Sequence, residues 1–265
     1  MGHGVPACYA GRVLFVDLSG GILREEALPE DVYRSFIGGN GLGVRILYER
    51  MKAGTDPMGP DSVVGFVVGS LTGTTAPGSG RHMLVAKSPL TGTWAESNSG
   101  GSFGPELKTS GYDAVFFSGI SPRPVYLLVE DGKAELRDAA FLWGRDTYET
   151  QDLLQDAFGD RQMKIACIGP AGERRSLLAG VVSERGRMAA RNGVGAVLGA
   201  KGLKAVAVRG GARPIEPEDP ERFQRAVRQF MAIIRNNEYA KGLAASGTGK
   251  DISLMVSMGN APLKN

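Results

Sequence analysis

The pattern of apolar and polar positions along the chain predicts short strands separated by helices and glycine-rich loops. Runs rich in β-branched and aromatic residues, at 12–18 (RVLFVDL) and 82–87 (HMLVAK), are typical of strands. Apolar residues at helical spacing predict helices over 147–158 and from Pro220 to about Asn236. Further strands are predicted at 22–26, 164–168 and 177–183.

Three more strand-like runs follow one another closely, at 113–118, 124–130 and 134–138, with a turn at Asp131-Gly132. Strands joined by short turns usually pair with their neighbours in antiparallel fashion. We therefore expect an α+β chain whose sheets are mainly antiparallel.

Glycine departs most from an ordinary composition, with 39 glycines in 265 residues. This is about twice the usual share, and the glycines lie between strands without a collagen-like period. The apolar and charged fractions are those of an ordinary globular protein, and the net charge of +3 is too small to indicate nucleic-acid binding.

The two cysteines exclude several kinds of metal site. Cys8 and Cys167 lie far apart without a CxxC motif, so this chain alone cannot ligate an iron–sulfur cluster or form a cysteine-rich zinc site. The first residues lack the apolar segment of a signal peptide, and no apolar run is long enough to span a bilayer. We therefore expect a cytoplasmic protein without a membrane partner.

The stretch 66–104 (FVVGSLTGTTAPGSGRHMLVAKSPLTGTWAESNSGGSFG) combines glycines, hydroxyl side chains and Arg81. Glycines let backbone N–H groups approach an anion, and a guanidinium group adds a fixed cationic fork, so the stretch suits a phosphorylated ligand. The same residue types also form plain turns between strands, and composition alone leaves both interpretations open.

Three other glycine motifs lack part of the context that nucleotide binding needs. The motif at 38–43 has the wrong spacing and is interpreted as the start of a helix, and GTGK at 247–250 lacks the first glycine of a P-loop. The motif GVGAVLG at 193–199 follows an arginine-rich segment instead of a predicted strand. That segment, with Arg185, Arg187 and Arg191, is either an anion site or a solvated basic loop.

A repeated pattern indicates that the core is internally duplicated. Six residues recur as the same amino acid at a constant offset of 91 positions. The first copy is Gly104, Leu107, Gly111, Ala114, Val115 and Gly119, and the second is Gly195, Leu198, Gly202, Ala205, Val206 and Gly210. Duplication predicts two glycine-rich helix starts facing one site about a pseudo-twofold axis, suited to a ligand with two similar phosphorylated halves. Chance similarity between glycine-rich segments is the alternative.

Seven segments in unbroken order resemble the N-terminal domain of the tungsten-containing aldehyde:ferredoxin oxidoreductase family, over roughly residues 10–210 and more loosely to Asn265. They are GRVLFVDLSGG, FIGGNGLG, GSLTGTTAPGSGR, KSPLTG, NSGGSFGPELKTSGYDA, IGPAGE and ARNGVGAVLGAKGLKAVAVRG. The resemblance implies two twofold-related, mainly antiparallel six-stranded sheets with flanking helices, carrying a bis-pterin cofactor. It also implies a cofactor-cradling domain over 1–212 and the start of a helical second domain over 213–265.

The resemblance assigns site residues by position. It implies that Arg81 bridges a pterin and a nearby cluster, and that Asn98, Gly100 and Gly101 contact that pterin. It assigns the second pterin to the segment with Arg187, Met188, Ala190 and Arg191. Backbone carbonyls of Asn98 and Met188 are implied to hold a magnesium ion between the pterin phosphates. Asn40 departs from an arginine often found in the family's FIGGRGLG segment.

For function, the resemblance implies a tungstopterin (or molybdenum) enzyme that oxidises aldehydes to carboxylic acids. Electrons pass through a [4Fe-4S] cluster, which other domains or a partner subunit ligate, to ferredoxin; a homodimer is possible in such a system. The cluster cysteines and the acid/base residues lie outside the matching region, so no catalytic residue is assigned and the isolated chain is expected to be inactive. One alternative is a non-catalytic pterin-binding or scaffold subunit. Another is a nicotinamide-dependent dehydrogenase that binds its cofactor through GVGAVLG, and we expect a test for bound nicotinamide cofactor to be negative.

Overall fold

A computed structural model describes residues 5–211 and 214–261 and contains two six-stranded sheets. The first sheet has the order β2-β1-β6-β3-β4-β5. Its strands are β1 (Val13–Asp17), β2 (Ile22–Glu26), β3 (Val64–Val68), β4 (His82–Lys87), β5 (Trp94–Ser99) and β6 (Ala114–Ser118). Helices α1 (Glu30–Phe36), α2 (Asn40–Arg50) and α3 (Phe103–Thr109) accompany this sheet.

The second sheet has the order β11-β10-β9-β12-β7-β8. Its strands are β7 (Val125–Glu130), β8 (Lys133–Asp138), β9 (Lys164–Cys167), β10 (Val181–Ser183), β11 (Arg187–Ala189) and β12 (Leu203–Arg209). A 3₁₀ turn at Ala140–Leu142 and helices α4 (Thr147–Phe158), α5 (Pro170–Glu173) and α6 (Val194–Ala200) accompany it.

The two sheets repeat one strand order, which confirms the duplication predicted from the sequence. Strand β1 corresponds to β7, and the match continues strand by strand to β6 and β12. In each sheet the described strands make four antiparallel pairings and one parallel pairing, β1 with β6 and β7 with β12. Helices α3 and α6 are separated by the same offset of 91 as the repeated residues.

The sheets share one apolar core. That cluster combines residues of both sheets, such as Phe66 and Val206, with residues of α3 and α6, such as Phe103 and Val197. Successive strand residues point to opposite faces, so the outer face of each sheet has its own cluster. Helices α1 and α2 contribute to the outer cluster of the first sheet, and α4 contributes to that of the second.

Three expectations from the sequence are wrong in detail. Strands β6 and β7 do not pair with each other, because the segment between them joins the two repeats and each strand lies in its own sheet. Strand β10 begins at Val181, since residues 175–179 form hydrogen-bonded turns. The arginine-rich segment contains strand β11, whose Arg187 and Met188 are exposed at a sheet edge and therefore show no apolar pattern.

A second unit of the chain begins at Asp219. Helix α7 (Pro220–Asn236) starts where the Asp219 carboxylate accepts a hydrogen bond from the Arg222 N–H at 2.9 Å. Helix α8 (Glu238–Ser246), a 3₁₀ turn (Gly247–Asp251) and α9 (Ile252–Ser257) follow. The predicted domain boundary after residue 212 falls at 212–213, outside the described residues. No helix in the described part of the chain has the length and hydropathy needed to cross a membrane.

Lys201 joins the two repeats inside the first unit. Its fully buried ammonium group donates to the carbonyls of Ser62 at 2.7 Å and Gly119 at 3.1 Å, both in the first repeat. Burial lowers the pKa of Lys201 from its usual 10.5 to about 8, although Asp61 and Asp17 oppose this effect. The two repeats are therefore held together partly by a desolvated cation.

We expect the Lys201→Met substitution to change how stability depends on pH. Between pH 8 and 10.5 the unfolded state binds more protons than the folded state, so Lys201 makes the free energy of unfolding rise with pH, by up to about 3 kcal/mol. The variant should lose this rise, measured as the wild-type-minus-variant difference in denaturant unfolding at several pH values. The exposed Lys133→Met variant serves as control. A difference that does not change with pH contradicts the assignment.

Candidate cofactor-binding site

The predicted site segments meet where the edge strands of the two sheets lie side by side. Strand β11 contacts β5. The Arg191 N–H donates to the Ser97 hydroxyl at 2.9 Å, and the Ser102 N–H donates to the Glu184 carboxylate. We call this region, residues 96–102 and 184–193 together with Arg81, which hydrogen-bonds to Asn98, the seam. The structure therefore brings together both segments to which the family resemblance assigned pterin contacts.

Arg81 and Asn98 form the first part of the site. The Arg81 side chain, just before β4, donates from Nε to the Asn98 Oδ1 atom at 2.8 Å, and Nη2 donates to the same oxygen. Gly100 lies beside this pair, because a Cβ atom added there would stand 3.4 Å from the Arg81 Nη1 atom. These three predicted site residues are thus in one cluster.

The second part of the site comes from β11 and the residues after it. Arg187, Met188, Ala190 and Arg191 are exposed, whereas Ala189 between them is buried. The strand period places Arg187 and Ala189 on one face and Met188 on the other, so the exposure of Arg187 reflects its place next to the turn and not the alternation of the strand. Among the described residues, Arg81, Arg187 and Arg191 have no carboxylate partner in an ion pair. The seam therefore carries guanidinium groups whose charge no carboxylate neutralises.

Gly101 also has a neighbour that the sequence did not indicate. Its backbone has φ +104°, and a Cβ atom there would overlap the Glu184 carboxylate. Because Glu184 is acidic and lies in a turn, nothing in the sequence pattern marked it as a site residue. In the structure its carboxylate lies directly against Gly101.

The loop KSPLTG also has a role that the sequence did not indicate. The buried Ser88 hydroxyl donates to the Asn192 carbonyl at 3.0 Å and accepts hydrogen bonds from the N–H groups of Leu90 and Thr91. Asn192 adopts φ +61°, and its side chain donates to the Glu96 carbonyl at 3.0 Å. Ser88 thus attaches a loop of the first repeat to the turn before α6.

The glycines of GVGAVLG serve packing. A Cβ atom on Gly195 would stand 2.7 Å from the Ala179 carbonyl carbon, and one on Gly199 would overlap the Gly172 carbonyl. Both glycines are buried in α6. They let α6 pack against neighbouring backbone, so this motif gives no support to a nicotinamide site.

His82, next to Arg81, belongs to the core. Its ring lies 4.8 Å from that of Phe103, centroid to centroid, and its Nδ1 atom has no hydrogen-bond partner among the described residues. Burial, aided by the charge of Arg81, lowers the pKa of His82 to about 4. The imidazole is therefore neutral near pH 7 and adds no positive charge to the seam.

Two surface cavities lie away from the seam. One of about 860 Å³ is lined by residues of β1, β2, β6 and the loop after α2, and one of about 750 Å³ by the N-terminal segment and α1. In the described part of the chain, no three His, Cys, Asp or Glu side chains are grouped to hold a metal ion.

Comparison with known proteins establishes the family. Residues 13–210 match the family model described as aldehyde ferredoxin oxidoreductase, N-terminal domain, and the chain belongs to this family. It is 40% identical over 258 residues to the tungsten-containing aldehyde ferredoxin oxidoreductase of Pyrococcus horikoshii, covering 97% of this chain and 42% of that protein. The chain thus spans less than half the length of such relatives.

Two further relatives have other names. The aliphatic sulfonate oxidoreductase, WOR-like subunit, of Pyrococcus furiosus is 31% identical over 264 residues, covering 92% of this chain and 42% of that protein. The structure of the active site complex BamBC of benzoyl coenzyme A reductase with 1,5 dienoyl-CoA is similar with a TM-score of 0.85. It is 36% identical, covering 88% of this chain and 35% of that chain. The predicted fold is confirmed.

We expect the Ser88→Ala substitution to destabilise the protein by about 1–2 kcal/mol, because it removes one donor and leaves two N–H groups without their acceptor. Chemical denaturation measures the effect. The Ser176→Ala variant changes an exposed serine in the second repeat and should be neutral. Equal stabilities of the two variants would show that Ser88 does not hold the loop.

Proposed function

We propose that this chain is the cofactor-cradling N-terminal part of a tungsten-containing oxidoreductase that oxidises aldehydes with ferredoxin as electron acceptor. The observation that carries the proposal is the seam, where adjoining segments of the two repeats carry three arginines that have no ion-pair partner among the described residues. Membership of the family supports the same proposal. The chain's relatives differ in their named substrates. We therefore propose aldehydes as the substrate class and name no particular aldehyde.

The residues of the seam fit a bis-pterin cofactor with two phosphates. Arg81, Arg187 and Arg191 supply guanidinium groups, which bind phosphate oxygens through charge-assisted hydrogen bonds. Gly100 has no side chain to obstruct a ligand beside Arg81. Met188 and Ala190 belong to the exposed surface that faces solvent next to these arginines.

The edge strands also suit the proposed magnesium site. Asn98 lies in β5 and Met188 in β11, and each strand is hydrogen-bonded to a ladder partner on one side only. Edge strands leave carbonyl oxygens outside the ladder, and oxygen atoms are the ligands that Mg²⁺ prefers. We propose the backbone carbonyls of Asn98 and Met188 as ligands between the two phosphates.

Once bound, the metallopterin supplies the two-electron redox chemistry that converts an aldehyde and water into a carboxylic acid. This chain orients the cofactor and balances its negative charge through the arginines of the seam. An iron–sulfur cluster and the acid/base groups belong to further domains or to a partner subunit, and ferredoxin accepts the electrons. In a second version, the chain is a non-catalytic pterin-binding or scaffold subunit of a larger redox complex. The relative named as a subunit of an oxidoreductase supports the part of this version that places the chain in an assembly.

We expect the protein, expressed with tungstate or molybdate in a host that makes pterin cofactors and purified without oxygen, to contain metal and pterin. The Arg81→Ala and Arg187→Ala variants should each retain about tenfold less cofactor, because each loses charged hydrogen bonds to phosphate. Metal analysis and fluorescence of oxidised pterin measure this retention. Co-expression with candidate partner polypeptides separates the two versions, since only the enzyme version yields aldehyde oxidation.

The matched control is Arg123→Ala, which removes an exposed arginine whose ion pair with Asp138, at 3.8 Å, lies in the β7–β8 hairpin. It should retain as much cofactor as the wild type. If all three arginine variants retain equal amounts, or if the wild type binds neither metal nor pterin, the proposed function is wrong.

A further inference from the structure

Glu184 is the charged side chain that crosses the seam. It belongs to the turn between β10 and β11 in the second repeat, and its carboxylate accepts a hydrogen bond from the Ser102 N–H in the first repeat. Ser102 directly precedes α3 and follows the Gly100-Gly101 turn. The contact thus links the turn assigned to one pterin with the hairpin that leads to Arg187 and Met188.

The backbone of this hairpin is held in a costly conformation. Glu184 and Arg185 have φ values of +47° and +55°, which residues other than glycine rarely adopt. Such a conformation is strained and persists only where the surrounding structure holds it. Contacts on both sides of the turn must therefore fix it.

Helix α4 holds one side of the hairpin. The side-chain oxygen of Gln151 accepts from the Arg185 N–H at 3.2 Å, and the Tyr148 hydroxyl donates to the Arg185 carbonyl at 3.3 Å. The Arg185 guanidinium also pairs with Asp152. Because these contacts bind Arg185 on its backbone and its side chain, Glu184 is directed to the opposite side, towards the first repeat.

From this arrangement we infer that Glu184 is a positioning residue, which fixes the Gly100-Gly101 turn against the β10–β11 hairpin before the cofactor binds. The inference rests on the proposed function, because it gives Glu184 the role of setting the distance between the two proposed pterin-binding segments. Gly101 is required for the contact, since any side chain there would overlap the carboxylate.

The alternative is that Glu184 occupies the place of an anionic ligand and must leave when the cofactor binds. Two further hydrogen bonds argue for a fixed seam: those from the Arg191 N–H to Ser97 and from the Asn192 side chain to the Glu96 carbonyl. They join the same two segments, so the hairpin is attached at both ends. Glu184 is then one of several contacts that join the two repeats, and not a lone group that occupies the ligand's place.

The test compares Glu184→Ala and Glu184→Gln in the full chain. In the cofactor-free protein, Glu184→Ala should speed hydrogen exchange of the Ser102 amide by about tenfold or more, because it removes a charged acceptor, while Glu184→Gln keeps an oxygen and shows a smaller change. In the loaded protein, Glu184→Ala should lower metal and pterin retention by about tenfold, and Glu184→Gln should restore most of it.

Glu130→Ala is the control. Glu130 is exposed at the end of β7, and its side chain has no hydrogen bond or ion pair with another described residue. Thermal unfolding of every variant separates positioning from general stability: equal melting temperatures with unequal retention support positioning. Higher retention in Glu184→Ala overturns the inference in favour of the competing-anion alternative. Unchanged exchange and retention also overturn it. If the wild type binds no cofactor, the proposed function fails, while the exchange rates still decide whether Glu184 holds the turn.

Discussion

The arrangement of the site depends on holding two edge strands side by side without a shared ladder. Strands β5 and β11 each end a sheet, so no backbone ladder joins them. What joins the segments that carry them is a small number of hydrogen bonds between side chains and backbone, from Ser88, Ser97, Asn192 and Glu184. Each contributes only about 1–3 kcal/mol, so the seam can be ordered only because the sheets are already fixed by their common core.

Glycine makes that common core possible. In helix α6, Gly199 packs against the Gly172 carbonyl and Gly195 packs against Ala179. A side chain at either glycine would force the backbones apart. Lys201, at the end of the same helix, reaches carbonyls of the first repeat. The high glycine content thus has two causes, turns near the seam and close packing of backbone, and only the first concerns a ligand.

Much of the fold could be predicted from the sequence, because its signals are local. Strands β1, β2, β4 and β6 and helices α4 and α7 follow from periodicity and end residues, and the offset of 91 predicted two equivalent sheets. The seam could not be predicted in the same way. Its hydrogen bonds join residues 82 to 104 positions apart, and Ser88, Glu184 and Asn192 lie in loops where polar residues are the norm.

The repeats share a backbone but differ in their polar side chains. Each buries one ion pair with a nitrogen-to-oxygen distance of 2.6 Å, Lys108 with Asp113 in the first repeat and Lys204 with Glu173 in the second. At the offset of 91, Asp113 corresponds to Lys204, so one shared position carries opposite charges in the two repeats. The partners do not correspond, because Lys108 matches Gly199 and Glu173 matches His82. Removing one partner of a buried pair leaves an uncompensated charge, so the two residues of such a pair must be replaced together.

The same asymmetry is present at the seam. Asn98 corresponds at this offset to Ala189, which is buried, so the two halves of a bound ligand would not meet identical side chains. What the halves have in common is the edge strand followed by a turn with positive φ, at Gly101 in one repeat and at Asn192 and Gly193 in the other. A ligand with two similar halves would thus find equivalent backbone on both sides, whereas the arginines, Asn98 and Glu184 distinguish one half from the other.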